Sequence, residues 1–275
     1  MNAISLTGVI RKMRVTQGNP ISYELPVGES AVTLNDYFGQ HIQLKATGQI
    51  YCLSCQRPTK KSFSQGYCFP CFKRLPECDM CIMKPETCHY HLGTCRDEAW
   101  ADNHCMQDHY VYLANSSGIK VGITRGTQIP TRWIDQGAGQ AIALFKVKNR
   151  LHSGLVEATI KKHINDRTDW RKMLKSDSES MDMLEKRQAV LDLVAEDLDA
   201  LAKTHPDIDL QVVDTSPTEL SFPVQAYPAK VTSLSFDKTP TIAGVLQGIK
   251  GQYLMFDSGV LNIRKFGGYE VEVRI

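Results

Sequence analysis

The chain has 275 residues, 42% of them hydrophobic, and a formal net charge of +2. Such a length supports two or three domains with real cores, so a folded chain rather than a disordered one is expected. No run approaches the roughly 18 apolar residues of a membrane span, and the opening MNAISLTGVIRKMRV lacks the apolar stretch and cleavage site of a secretory leader, so a cytosolic protein with no membrane partner is expected.

Residues 1–50 read as β-rich. Ile4, Leu6 and Ile10 share one parity, as do Ile42, Leu44 and Ile50, with polar residues between many of them. Residues 51–108 form a cysteine module: all nine cysteines fall between Cys52 and Cys105. Thiols stay reduced in the cytosol, so clustering there argues for metal over disulfides. Cys52-x2-Cys55 and Cys68-x2-Cys71 are two hooks separated by twelve residues. Two residues between thiolates let both sulfurs face one ion, and two hooks complete a closed, structural Zn2+ site of the zinc-ribbon kind. With no open ligand position, that site is scaffolding. A second Zn2+ is expected on the hook Cys78-x2-Cys81, with Cys88 and Cys95 as preferred partners and His91 and Cys105 as substitutes. Between Tyr51 and Arg74 the chain carries Arg57, Lys60, Lys61, Lys73 and Arg74 and no acid, interleaved with Tyr51, Phe63, Tyr67, Phe69 and Phe72. The cations suit phosphates. The aromatics suit either stacked bases or a small core of the module.

Residues 109–175 mix strand and helix. Tyr110–Leu113 and Ile119–Thr124 read as strands joined at the turn Asn115-Ser116-Ser117-Gly118. His152–Asn165 reads as a helix with Ser153 as N-cap and Leu155, Val156, Thr159 and Ile160 inward. This segment holds twelve Lys/Arg and four Asp/Glu, a balance of +8, the footprint of a polyanion partner; Arg125, Lys161 and Lys162 are candidate phosphate contacts. Residues 176–225 are an acidic helix and linker. A helix is expected over 179–204, with Leu184, Leu191, Val194, Leu198 and Leu201 on one face and His205-Pro206 ending it. Residues 176–220 carry a balance of −9, and the acids of 179–214 are expected to compete with nucleic acid for the basic block. Residues 226–275 return to β: Val271, Val273 and Ile275 alternate with charged residues, and Asp257-Ser258-Gly259 marks a turn. The expected fold class is multidomain α+β, in which the two β-rich ends pair into an OB-like barrel and the other modules are insertions.

The stretch Tyr110-Val-Tyr-Leu-Ala-Asn-Ser-Ser-Gly118-Ile-Lys-Val-Gly-Ile-Thr124 resembles the paired strands of the GIY-YIG nuclease superfamily. Tyr112 matches its first Tyr, Val121-Gly122 the end of its second element, Arg132 its helical Arg, Glu157 its metal-holding Glu, and Asp169-Trp170 the closing aromatic of one branch. Lys120 stands where many members have a second Tyr; a branch with Lys-Ile-Gly is closer to this chain. More broadly, the whole chain resembles an uncharacterised bacterial family of unknown function with the same cysteine region, central module and β tail.

The resemblance implies an α/β module that cleaves phosphodiesters with Mg2+ or Mn2+ on Glu157, with Arg132 clamping phosphate, Tyr112 positioning or deprotonating water and Lys120 on a nonbridging oxygen. A DNA or RNA partner is expected. Two other functions fit the same residues: a nucleic-acid or ribosome-binding protein without turnover, and a protein-interaction scaffold using the acidic helix.

Overall fold

A computed structural model describes residues 5–164 and 167–275. Ile4 of the expected first strand and Asn165 at the end of the expected central helix lie outside them. The chain opens with β1 (Ser5–Val9), β2 (Arg14–Thr16), β3 (Ser22–Val27), β4 (Ser30–Thr33) and β5 (His41–Ile50). The cysteine region holds three short helices, α1 (Phe69–Arg74), α2 (Met80–Met83) and α3 (Glu98–His104). The central segment runs β6 (His109–Asn115), β7 (Ile119–Arg125), α4 (Thr131–Asp135), β8 (Gln140–Val147) and α5 (Arg150–Ile160). After it come α6 (Trp170–Met173), α7 (Met183–Thr204), β9 (Gln211–Val212) and β10 (Thr218–Glu219). The chain then adds β11 (Thr241–Lys250), β12 (Tyr253–Phe256), β13 (Gly259–Asn262) and β14 (Tyr269–Arg274).

The two β-rich ends do pair. One antiparallel sheet has the order β1-β14-β5-β11-β12-β13, and Val273 lies opposite both Leu6 and Leu44. Alternation does the work expected of it: Ile42, Leu44, Val271 and Val273 are buried, while the residues between them face outward or sideways. The sheet does not close into the expected barrel. Closure would need β1 to meet β13, and both edges are already taken. Gly28 donates its N–H to Val9 O and Ile10 bridges Val27 on one side, while Leu234 donates to Val260 O and Val260 to Thr232 O on the other. A separate three-stranded sheet, β2-β3-β4, packs against β1.

The central sheet has the order β10-β8-β6-β7, with β9 on the far part of β8. Its hairpin turns at Ser116-Ser117-Gly118, and Asn115 is held inside the strand by donating to Gln140 Oε1 and Glu179 O. One face packs Tyr112, Ala114 and Ala141 with Trp133 and Ile134 into the same core as the β ends. The central module is therefore seated on the terminal sheet. The other face, Val111, Leu113 and Leu144, is covered by Val156 and Ile160 of α5 and by Val190, Val194 and Leu198 of α7.

Two helix boundaries differ from expectation. α5 begins two residues early because Asn149, not Ser153, is the N-cap: its Oδ1 accepts from His152 N at 2.9 Å, and Ser153 Oγ instead donates to Arg150 O inside the helix. α7 begins at Met183, capped by Asp182, whose Oδ1 accepts from Leu184 N and Glu185 N. Of the expected apolar face, Val194 and Leu198 are buried and Leu191 and Leu201 pack beside them, whereas Leu184 is exposed and Met183 and Val190 are inside. Among the described residues no helix is long and apolar enough to cross a membrane.

The cysteine region and the central module approach closely at Gly154. A Cβ on Gly154 of α5 would stand 2.3 Å from Glu86 N and 2.5 Å from the Pro85 carbonyl carbon, so helix and loop meet backbone to backbone. Replacing Gly154 with Val should cost about 3 kcal/mol through overpacking, read as a lowered urea midpoint at unchanged slope.

Candidate functional site

Two cysteine hooks and a loop build the first constellation. Cys52 and Cys55 lie in the turn after β5; Cys68 precedes α1 and Cys71 lies within it. Their four sulfurs lie within 4.8 Å of one another, so the group can hold a metal ion. Cys55 Sγ and Cys68 Sγ are 3.7 Å apart, close to the roughly 3.8 Å edge of a tetrahedron with Zn–S bonds of about 2.3 Å. Burial alone would raise the Cys52 thiol, but N–H groups of Cys55, Cys68 and Ser54 donate to it and bring it down to about 6. Cys71, buried and hydrogen-bonded to the other three sulfurs, is pushed up to about 12. Four sulfurs this close together are the donor set that Zn2+ favours. The aromatics nearby divide. Tyr67 packs against the sulfurs, whereas Phe69 is 49% exposed, with the Lys73 ammonium 5.3 Å from its ring. Lys61 covers Phe63 in the same way, and Arg57, Lys60 and Arg74 are exposed.

The second expected set is rearranged. Cys81, Cys88 and Cys95 line a common small cavity together with Cys105, and Cys78 does not. The Cys78 thiol bonds to Ser64 and faces Cys52 instead, because Pro76–Cys78 turns back toward the first hooks. His91 is exposed and lies outside that cavity.

Three of the four sequence-predicted catalytic residues, Lys120, Arg132 and Glu157, meet at a cleft of about 470 Å³. β7 supplies Lys120 and Arg125, α4 supplies Arg132, Asp135 and Gln136, and α5 supplies Arg150, Glu157 and Lys161. Lys12 from the first turn and Arg264 from the segment before β14 complete the rim. Seven cations therefore surround two carboxylates. Asp135 is committed to Lys12 (2.8 Å) and to Gln252 Nε2 (2.8 Å). Glu157 is 8% exposed, and its Oε2 lies 3.2 Å from Lys161 Nζ. Burial and the neighbouring Arg132 charge depress Arg264, which packs two guanidinium groups near one another. Such crowding of cations is costly unless an anion joins them.

Tyr112 stands behind the cleft and does not line it. It pairs with Gly122 across the hairpin, and the missing Cβ leaves room for its phenol: a Cβ there would be 2.7 Å from Tyr112 Oη. The ring is fully buried against Trp133, and burial raises the phenol, with Arg132 and Gln136 only partly offsetting it. Gln136 Nε2 donates to Tyr112 Oη at 2.9 Å, and its Oε1 accepts from Lys120 Nζ. A direct contact with water is thus unsuited to Tyr112. It holds Gln136, and Gln136 holds Lys120.

Lys162 lies outside the cleft and pairs with Asp197, as does His163. His152 pairs with Asp207 and Lys148 with Asp209. These acids belong to the segment expected to screen the basic block, and Lys148 and Lys162, the block's lysines that they meet, do not line the cleft. Trp170 stacks on Tyr253. Arg150, Gln136, Lys12 and Arg264 were not singled out from sequence. Arg150 carried a signal, since it opens a helix inside the +8 block; Arg264 carried none, because only the pairing of the chain ends brings it here.

The sequence pattern of a family described as proteins of unknown function (DUF2797) matches residues 39–271. That span takes in the cysteine hooks, the cleft except Lys12, and most of the terminal sheet. No curated protein and no solved structure matches the chain.

Proposed function

The chain belongs to that DUF2797 family, and from its own residues we propose that it binds nucleic acid in the basic cleft and cleaves phosphodiesters there with a divalent cation. What carries the reading is a nearly buried carboxylate, Glu157, set among Lys120, Arg125, Arg132, Arg150 and Arg264 on one cleft. The similarity of residues 110–170 to the GIY-YIG pattern supports the same chemistry, as does the order hairpin, helix, strand, helix. Glu157 with a substrate phosphate is the donor set that Mg2+ or Mn2+ accepts while keeping most of its waters, and such an ion supplies charge neutralisation at phosphorus.

The remaining roles fall to the chain itself. Arg132 presents a planar fork to two phosphate oxygens. Lys120, steered by Gln136, meets a nonbridging oxygen as charge builds there. Lys161 shares Glu157 until the phosphate arrives. Arg125 and Arg264 extend the contact along the backbone, and the exposed Lys61, Lys73 and Phe69 of the zinc-ribbon-like module continue it toward unpaired bases.

A second reading, binding without turnover to RNA, ribosome or DNA, is favoured by the Lys161 contact on Glu157 and by the burial of Tyr112. One experiment separates the two. The full chain is incubated with single-stranded, duplex and branched DNA and RNA, with Mg2+ or Mn2+. Cleavage of any of them is the expected result; binding without cutting selects the second reading, and no affinity at low salt removes both. Binding should weaken steeply with salt, and Arg132→Ala should lower the slope of log K against log salt by about 1, alike for all sequences.

A further inference from the structure

We infer that Met83 is an apolar wedge that seats an unpaired nucleobase in the basic cleft, so that the preferred partner is a nucleic acid with a broken base stack rather than a continuous duplex. The inference rests on the nucleic-acid reading of the cleft given above and names the form of nucleic acid that the cleft takes.

The observation behind it is one stretch of wall with the opposite polarity. Seven cations line the cleft, and Ile82, Met83 and Pro85 line it beside them. Met83 is 79% exposed, the most exposed large hydrophobic side chain among the described residues. The cations commit the partner to a polyanion, yet a thioether gains nothing from phosphates, which take charge and N–H donors. A continuous duplex offers phosphates, sugars and base edges, and thymine methyls are its one apolar group in the major groove. The broad apolar faces of its bases are covered by their neighbours. They open at a bulge, a junction or a single strand, where side chains such as Met, Ile and Pro fill the gap. A cleft of about 470 Å³ falls in the size range of small-ligand sites, which suits a nucleotide.

The wedge is tied to the cations it works beside. α2, which carries Met83, is a single turn capped by Asp79, whose Oδ1 accepts from Cys81 N at 3.3 Å. Arg150 lines the cleft and donates to Ile82 O at 2.6 Å and to Cys81 O at 3.4 Å. Just beyond Met83, Pro85 and Glu86 lie backbone to backbone against Gly154 of α5, the helix that also carries Glu157. The apolar wall and the carboxylate are therefore held on one supported unit, as a binding site requires. Methionine is unbranched and polarisable, so it accommodates any base face and seats a base without reading which one it is. Met80 is on the same turn and 63% exposed but does not line the cleft, which makes it a control for Met83.

The test measures affinity of the full chain by fluorescence anisotropy, at low salt and without divalent ions. The probes are a blunt duplex and the same duplex with a single bulged nucleotide, each made as DNA and as RNA. The bulged form is expected to bind about 10-fold tighter in at least one of the two chemistries, and that chemistry identifies the source of the base. Met83→Gln should erase the preference while leaving duplex affinity and its salt slope unchanged, and Met80→Gln should retain it. Both side chains are exposed, so neither change disturbs a core. Equal affinity for the two forms, a preference that survives Met83→Gln, or an equal loss in Met80→Gln would overturn the wedge and leave the basic cleft standing as a nucleic-acid site. Absence of binding to either form removes the nucleic-acid reading and this inference with it.

Discussion

Glu157→Gln should abolish cleavage while leaving nucleic-acid binding intact or slightly tighter. The side chain keeps its shape, and what is lost is one of two negative charges beside seven positive ones. Several kcal/mol of transition-state charge stabilisation would leave with a carboxylate-held cation, so the rate should fall at least about 10²-fold. The opposite signs of the two effects make the result diagnostic. A variant that had merely misfolded would lose both, and a variant of a residue with no part in chemistry would lose neither. Single-turnover cleavage with saturating Mn2+, beside affinity measured without divalent ions, checks both signs. Unchanged cleavage would remove Glu157 from the mechanism.

The second large effect is expected at the first cysteine cage. Cys68→Ser removes one of four sulfurs that converge within 4.8 Å. Structural zinc contributes on the order of 10 kcal/mol to small modules, which exceeds what so short a loop-rich stretch can gain from its own core. Residues 51–74 should therefore lose their protection against amide hydrogen exchange. The loss should spread, because this module is bonded to the segment before β14: Tyr51 N donates to Gly268 O, Ser62 Oγ to Gly267 O, and Arg264 Nε to Gln65 Oε1 at 2.7 Å. Arg264 lines the cleft, so weaker nucleic-acid binding should accompany the zinc loss. Protection confined to its original pattern, with zinc absent, would show that the cage is dispensable.

Local signals were readable in the sequence where local physics decides. The paired CxxC hooks, the alternation of 271–275, the hairpin around Ser116-Ser117-Gly118 and the helix that stops before His205-Pro206 each depend on residues within a few positions. What escaped depended on distant partners. Asn149 outcompeted Ser153 as a cap because it sits at the end of β8, where the strand stops. Cys105 lines the small cavity beside Cys81, Cys88 and Cys95, and Cys78 does not; irregular spacing gives no register for such a placement. Tyr112 looked like a water contact until Gly122 placed its phenol beneath the hairpin. Open rather than closed sheet geometry followed from which segments reached β1 and β13, and no strand pattern records that.

The pairing of β5 with β11 and β14 has a consequence for biogenesis. About two hundred residues separate Ile50 from Tyr269. While the ribosome makes them, the ten-residue strand β5 waits without either neighbour, a sticky ribbon of backbone. The cysteine hooks directly behind it can fold as soon as metal reaches them, and the β6–β7–β8 meander can form from nearby sequence. Maturation should then proceed from the middle outward, with translational pauses or metal starvation exposing β5 to neighbours on the same polysome.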